Sequence, residues 1–151
     1  MAIKPGFSHT DIEKAMLRRL ERIDRAIVFR LSRLGEECVN NAREFGSYID
    51  RTGNLRNSVG YLLLKDGSVL RQNFKRTAGG GEEGTAVGQN LAHQIAMAYP
   101  AGYVLIVVAG MDYAAYVEAR NRNVLATAEQ FAREKAPQII RELKTKVGKM
   151  K

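Results

Sequence analysis

Apolar residues recur along the first third of the chain at Ile12, Met16, Leu20, Ile23, Ile27, Leu31, Leu34, Cys38 and Ala42, in steps of three or four. That spacing predicts one long amphipathic helix. A second row, Leu17, Val28 and Val39, widens the apolar face, so the helix is expected to pack against more than one element. Thr10-Asp11-Ile12-Glu13 has the pattern of a capping box at its start, and Gly46 supplies a stop. The opposite face carries Arg18, Arg22, Arg25 and Arg33 with Glu21 and Glu37, and Arg33–Glu36 has i,i+3 spacing. Acids interrupt the bases, so this face reads as solvated rather than as a phosphate-binding stripe.

The pattern then changes period. "SVGYLLLK" and "SVLRQNFK" flank Asp66-Gly67, a strong hairpin signal because both central residues of a type I′ turn need positive φ. "RTAGGGEEGTAVGQ" has no apolar period, and its glycines predict a flexible loop over about 77–90. Leu91 and Ile95 mark a short helix after it. "GYVLIVVAG" is a continuous β-branched run, expected as a strand buried on both faces or central in a sheet. Tyr113, Tyr116 and Val117 stand at helical spacing. A last amphipathic helix runs from about Leu125 to Lys146, with Pro137 predicting a kink or a fresh start and a basic tail over about 147–151. This order predicts a single α+β domain: a long N-terminal helix and a C-terminal helix packed on a small, largely antiparallel sheet.

Between the first helix and the hairpin lies a polar knot, Arg51-Thr-Gly-Asn-Leu-Arg-Asn-Ser58. Thr52 reads as the N-cap of a single turn, Gly53 as a residue of special φ or close approach, and Leu55 as a plug into the core. Arg56 and Asn57 are expected to face water or a neighbour, with Ser58 leading into the strand. Each position has a geometric task, and none requires catalysis.

Charge and composition narrow the function classes. The 151 residues carry a formal net charge of +8, yet none between Leu91 and Ala119 is Lys or Arg. The excess gathers toward the end, in Lys144, Lys146, Lys149 and Lys151, and invites an acidic partner or weak, sequence-blind DNA contact. The single Cys38 cannot close an internal disulfide, and no apolar leader opens the chain, which predicts a reducing cytosol. The most apolar stretch, broken by Pro100 and Gly102, falls short of the roughly 20 residues a membrane span needs, so no membrane role is expected.

Chemistry is sparse. Gly79-Gly-Gly81-Glu-Glu-Gly84 matches the spacing of a dinucleotide fingerprint, but no buried strand precedes it and two carboxylates occupy the place of a pyrophosphate. His9, His93 and Cys38 lack metal-ligand spacing, and no hydroxyl sits in a nucleophile elbow. No metal, cofactor or catalytic residue is assigned. Glu118, in an apolar and base-free segment, reads as a structural acid that would seek a cation such as Arg51 or Arg56. Two rival classes remain open: a basic nucleic-acid-binding module, and a small enzyme joining Glu118 to Tyr113 or Tyr116 and His93.

"RTGNLRNSVG", followed some fifty residues later by "DYAAYVEA", resembles the tail-component family of long-tailed bacteriophages. That family pairs a T-G-x-L-(R)-x-S motif after a long helix with a later Y-A-x-Y-(V)-E motif. Thr52, Gly53, Leu55, Arg56 and Ser58 match the first, and Tyr113, Ala114, Tyr116, Val117 and Glu118 the second. Family members usually follow the glutamate with a Gly-Thr-type turn, whereas Glu118 leads into Ala-Arg-Asn-Arg. The resemblance implies a structural, non-enzymatic protein, forming a homo-oligomeric ring at the head–tail junction. Its implied partners are the head connector and tail proteins, and its place is the host cytoplasm during assembly and then the virion.

Overall fold

A computed structural model of the chain describes residues 2–77 and 80–150. Its elements are α1 (His9–Glu44), α2 (Asn54–Asn57), β1 (Val59–Lys65), β2 (Ser68–Asn73), α3 (Glu82–Ala96), β3 (Tyr103–Ala109), α4 (Ala114–Ala119) and α5 (Ala126–Lys149). The fold is α+β. Its three strands form one antiparallel sheet in the order β2-β1-β3.

The hairpin follows from local chemistry. Asp66 and Gly67 have φ of 50° and 79°, the positive pair a type I′ turn demands. β1 is the central strand and is buried along nearly its whole length. Its side chains alternate between two layers. Val59, Tyr61 and Leu63 pack against Leu34, Cys38, Val39 and Ala42 of α1 and Ala128 of α5. Leu62 and Leu64 pack with Phe74, Ile106 and Val108 against Ala92 of α3. The sheet therefore lies between α1 and α5 on one face and α3 on the other.

Several expectations are corrected. The run at β3 is an edge strand and only partly buried, because β1 takes the centre by pairing on both sides. The capping box of α1 starts at Ser8: its hydroxyl accepts the Asp11 N–H at 3.2 Å, and Asp11 Oδ2 accepts the Ser8 N–H at 2.9 Å. Ser8 stands two residues upstream of Thr10, so the helix is two residues longer at its start. Arg33 pairs with Glu37 at 3.0 Å, while Glu36 accepts from Tyr61 and Asn73. The expected loop over 77–90 is helical from Glu82 onward. α5 is one element with Pro137 inside it, and the expected basic tail is helical through Lys149, with Met150 buried. Among the described residues, no helix is long and apolar enough to cross a membrane.

α1 is only half absorbed by this core. Its 36 residues extend about 54 Å at 1.5 Å per residue. Ala26, Leu34, Gly35, Cys38, Val39 and Ala42 are buried. Toward the N-terminus, Ile12, Met16, Leu17 and Leu20 are 43%, 60%, 59% and 59% exposed on the same apolar face.

Candidate functional site

The fold brings the two motif segments together. Leu55 of α2, Ala114 at the start of α4 and Val124 form a buried cluster, joined by Tyr48, Met111, Val117 and Leu125. The Ser58 hydroxyl donates to the Leu55 carbonyl at 2.7 Å and accepts the Met111 N–H at 3.4 Å. The Gly110 N–H reaches the Ser58 carbonyl at 3.2 Å. Ser58 thus ties the end of α2 to the segment leaving β3.

The knot itself is a short helix. Gly53, at φ 76°, stands at the N-cap of α2, and Thr52 Oγ1 accepts the Asn54 N–H at 3.3 Å. Thr52 is thus displaced by one residue from the N-cap position expected of it. The Arg56 N–H donates to Asp50 Oδ2 at 3.2 Å. The Arg56 side chain lies beside Tyr48, whose phenol is pushed up by burial against the pull of that guanidinium. Tyr113 flanks Thr52; burial and the Asp50 carboxylate raise its phenol as well. Tyr116 is exposed, stacks under the Arg120 guanidinium at 4.5 Å, and lines a shallow groove with Tyr48, Ile49, Val117 and Arg122.

Asn57, expected to face outward, is completely buried. Its Nδ2 donates to the Gly80 carbonyl at 2.7 Å, and its Oδ1 accepts from Thr77 N–H and Oγ1 at 2.8 and 2.6 Å. Asn54 Oδ1 accepts the Gly84 N–H at 3.3 Å, and its Nδ2 donates to Glu83 at 3.2 Å. These two asparagines seize the connection into α3. The glycines complete the clasp. A Cβ on Gly84 would stand 2.0 Å from the Asn54 carbonyl oxygen, and one on Gly88 2.3 Å from that of Ser58. The knot therefore seats α3 backbone to backbone. The sequence signal was present in the 81, 84, 88 spacing of glycines, which is a helical face of minimal residues.

Glu118 does not bind Arg51 or Arg56. Its carboxylate accepts the N–H of Ala126 at 2.7 Å and of Leu125 at 3.2 Å, with Val124 at 3.4 Å. Leu125, at the N-cap of α5, offers no side-chain bond, so Glu118 caps α5 from outside and meets its dipole. Glu118→Ala is expected to cost about 1–2 kcal/mol in urea unfolding, and Glu118→Gln clearly less. Unchanged stability of the alanine variant contradicts the capping role.

The remaining chemistry-bearing groups stand apart. Burial pushes the Cys38 thiol up to about 11, so it is not a thiolate at neutral pH. His93 is exposed on α3, and the Glu118 carboxylate is taken up by the backbone entering α5. Among the described residues, no group of three His, Cys, Asp or Glu could hold a metal ion. Lys144, Lys146 and Lys149 are exposed on the last turns of α5, and Lys151 lies outside the described residues. Lys146 and Lys149 border an open groove with Arg30 and Arg141.

A second open surface runs along β3. Just beyond the ladder, Asp66 N–H bonds Gly102 O at 2.9 Å and Gly110 N–H bonds Ser58 O at 3.2 Å. Even-numbered residues of β3 therefore face β1, and the backbone groups of Tyr103, Leu105, Val107 and Ala109 face outward. Among the described residues these outward groups have no partner. Beside them lies an apolar groove of about 340 Å³ lined by Leu105, Val107, Leu125, Ala128 and Ala132. β2 also has a free edge, but it is polar and bulged, with Leu70 left as an extra residue opposite Leu63 and Leu64 of β1.

Compared with known proteins, the chain matches no family model, no curated protein and no solved structure.

Proposed function

We propose that this chain is a structural subunit that works by assembling with copies of itself, a tail component at the head–tail junction of a long-tailed bacteriophage or prophage. One observation carries the assembly reading. The apolar face that builds the core at Cys38 and Ala42 continues, bare, through Leu20, Leu17, Met16 and Ile12. Exposed apolar surface of that extent marks an interaction site. The open edge of β3 supports the same reading, because unpaired strand backbone invites a partner. The two motifs support a structural role, since Ser58, Asn57 and Glu118 hold backbone in place.

The head–tail placement rests on the resemblance of the two motifs. On this reading the partners are further copies in a ring, the head connector and tail proteins, first in the host cytoplasm and then in the virion. Leu20→Lys is expected to abolish assembly of the purified protein while leaving its circular dichroism unchanged. Retained assembly in that variant contradicts the use of this face.

The exposed lysines of α5 favour a subordinate contact with DNA phosphates. Binding to duplex DNA through Lys144, Lys146, Lys149 and Lys151 should be weak, with a log–log salt slope of about −3 to −4. Fluorescence anisotropy measures it. A slope beyond about −6 with tight binding at physiological salt favours a nucleic-acid-binding module instead.

A further inference from the structure

The apolar stripe of α1 repeats every eleven residues. Ile12, Ile23 and Leu34 share one phase, Met16, Ile27 and Cys38 the next, and Leu20, Leu31 and Ala42 the third. Eleven residues complete three turns at about 3.67 per turn, so the stripe runs almost parallel to the helix axis. Its last third is core, its middle third is half-buried, and its first third is open. α5 lies antiparallel over the covered part: the Cys38 thiol donates to the Ala128 carbonyl, and Arg30 pairs with Glu142 farther back along α1.

Charge is divided across the open third. At about 100° per residue, Glu13, Asp24 and, farther round, Glu21 fall on one flank of the stripe, and Arg19 and Arg22 on the other, with Asp11 beyond them engaged in the Ser8 cap; Lys14, Arg18 and Arg25 lie on the back of the helix. Leu17 shares the acidic flank, and the small Ala15 the basic one. Asp24 is held by Lys65 Nζ at 2.6 Å and by the Tyr103 hydroxyl. Glu13 has only the exposed His9, at 3.6 Å. Glu21, Arg18, Arg19 and Arg22 have no ion-pair partner among the described residues.

Such a helix discriminates between orientations of a second copy. Two copies side by side and antiparallel bring acid to acid and base to base. Two parallel copies bring the acidic flank of one to the basic flank of the next, and Leu17 toward the gap over Ala15. From this charge complementarity we propose that residues 9–25 of α1 are the self-association element, aligned in parallel with the same residues of a second copy. Each helix carries both flanks, so one contact leaves a complementary flank free for the next copy, as a ring requires. This inference deepens the assembly reading and rests on it.

Reversed-flank variants test it. Glu13→Lys with Glu21→Lys replaces the acids of the acidic flank that are not already held within the fold by bases, and Arg19→Glu with Arg22→Glu turns the basic flank acidic. Each alone should raise the concentration for half-assembly, read by sedimentation, by about tenfold or more, since like charges at an interface repel. Mixed in equal amounts, the two should assemble as wild type does. Single cysteines fix the orientation, because the native Cys38 is buried. Ile12→Cys and Ile23→Cys should each cross-link to themselves under mild oxidation. Assembly of either charge variant at wild-type concentrations, or cross-linking only when the two cysteine variants are mixed, overturns the inference and leaves the assembly reading standing. A wild-type protein that stays a single chain at every concentration overturns both.

Discussion

Gly84→Ala and Gly88→Ala should each destabilise the protein by about 3 kcal/mol, with a loss of cooperative melting near physiological temperature. Helix propensity alone predicts the opposite, because alanine is favoured over glycine in a helix by about 1 kcal/mol. Geometry overrides it. The new Cβ would meet the Asn54 carbonyl oxygen at 2.0 Å or the Ser58 carbonyl oxygen at 2.3 Å, and these are backbone atoms that cannot rotate aside. α3 would have to lift from α2, opening the cluster of Leu62, Ile106, Val108 and Ala92 beneath it. Gly148 is the control. A Cβ there meets nothing within 4 Å, so Gly148→Ala in α5 should be neutral or stabilise by a few tenths of a kcal/mol. Urea unfolding of the three variants checks the sign. Equal stabilisation by all three contradicts the backbone contact.

Asn57→Ala carries the second large effect, a loss of about 2–3 kcal/mol. The fully buried amide satisfies three groups on the segment entering α3, the Gly80 carbonyl and the Thr77 N–H and hydroxyl. Removing it leaves those groups without partners and opens a cavity behind Gly81, whose own Cβ position lies 2.0 Å from Asn57 Nδ2. Asn57→Asp keeps the acceptor toward Thr77 but loses the donor to Gly80 and buries a charge, so it should be no better. Hydrogen exchange localises the damage: protection should fall first over the opening turns of α3, Glu82 to Gly88, and last in β1. Uniform loss of protection across the sheet contradicts the clasp.

These residues show what the sequence could and could not convey. The hairpin was legible because the turn is set by Asp66 and Gly67 themselves. α1 was legible because its period persists over ten turns, although the period is silent on which part of the face is covered. The start of α3 was hidden because Gly81, Gly84 and Gly88 read locally as loop formers, and the helix exists for the close approach they permit. The place of β3 was misread for a related reason. A continuous apolar run is shared by central strands and by edge strands packed between layers, and only the pairing of β1 with both neighbours separates them. Glu118 was recognised as a structural acid, but the expected cation was the wrong complement: three backbone N–H groups at the entry to α5 serve a carboxylate as well. The two motif segments were visible as separate patterns, while their meeting at Leu55, Ala114 and Val124 is a tertiary fact.

Self-assembly through α1 is read from the native mass of the purified protein across a hundredfold range of concentration. One chain weighs 16.8 kDa. Wild type should show a discrete multiple of that mass, visible as rings by electron microscopy, and Leu20→Lys the mass of one chain. A wild-type protein that remains one chain throughout, with the face of Met16, Leu17 and Leu20 open to water, contradicts it.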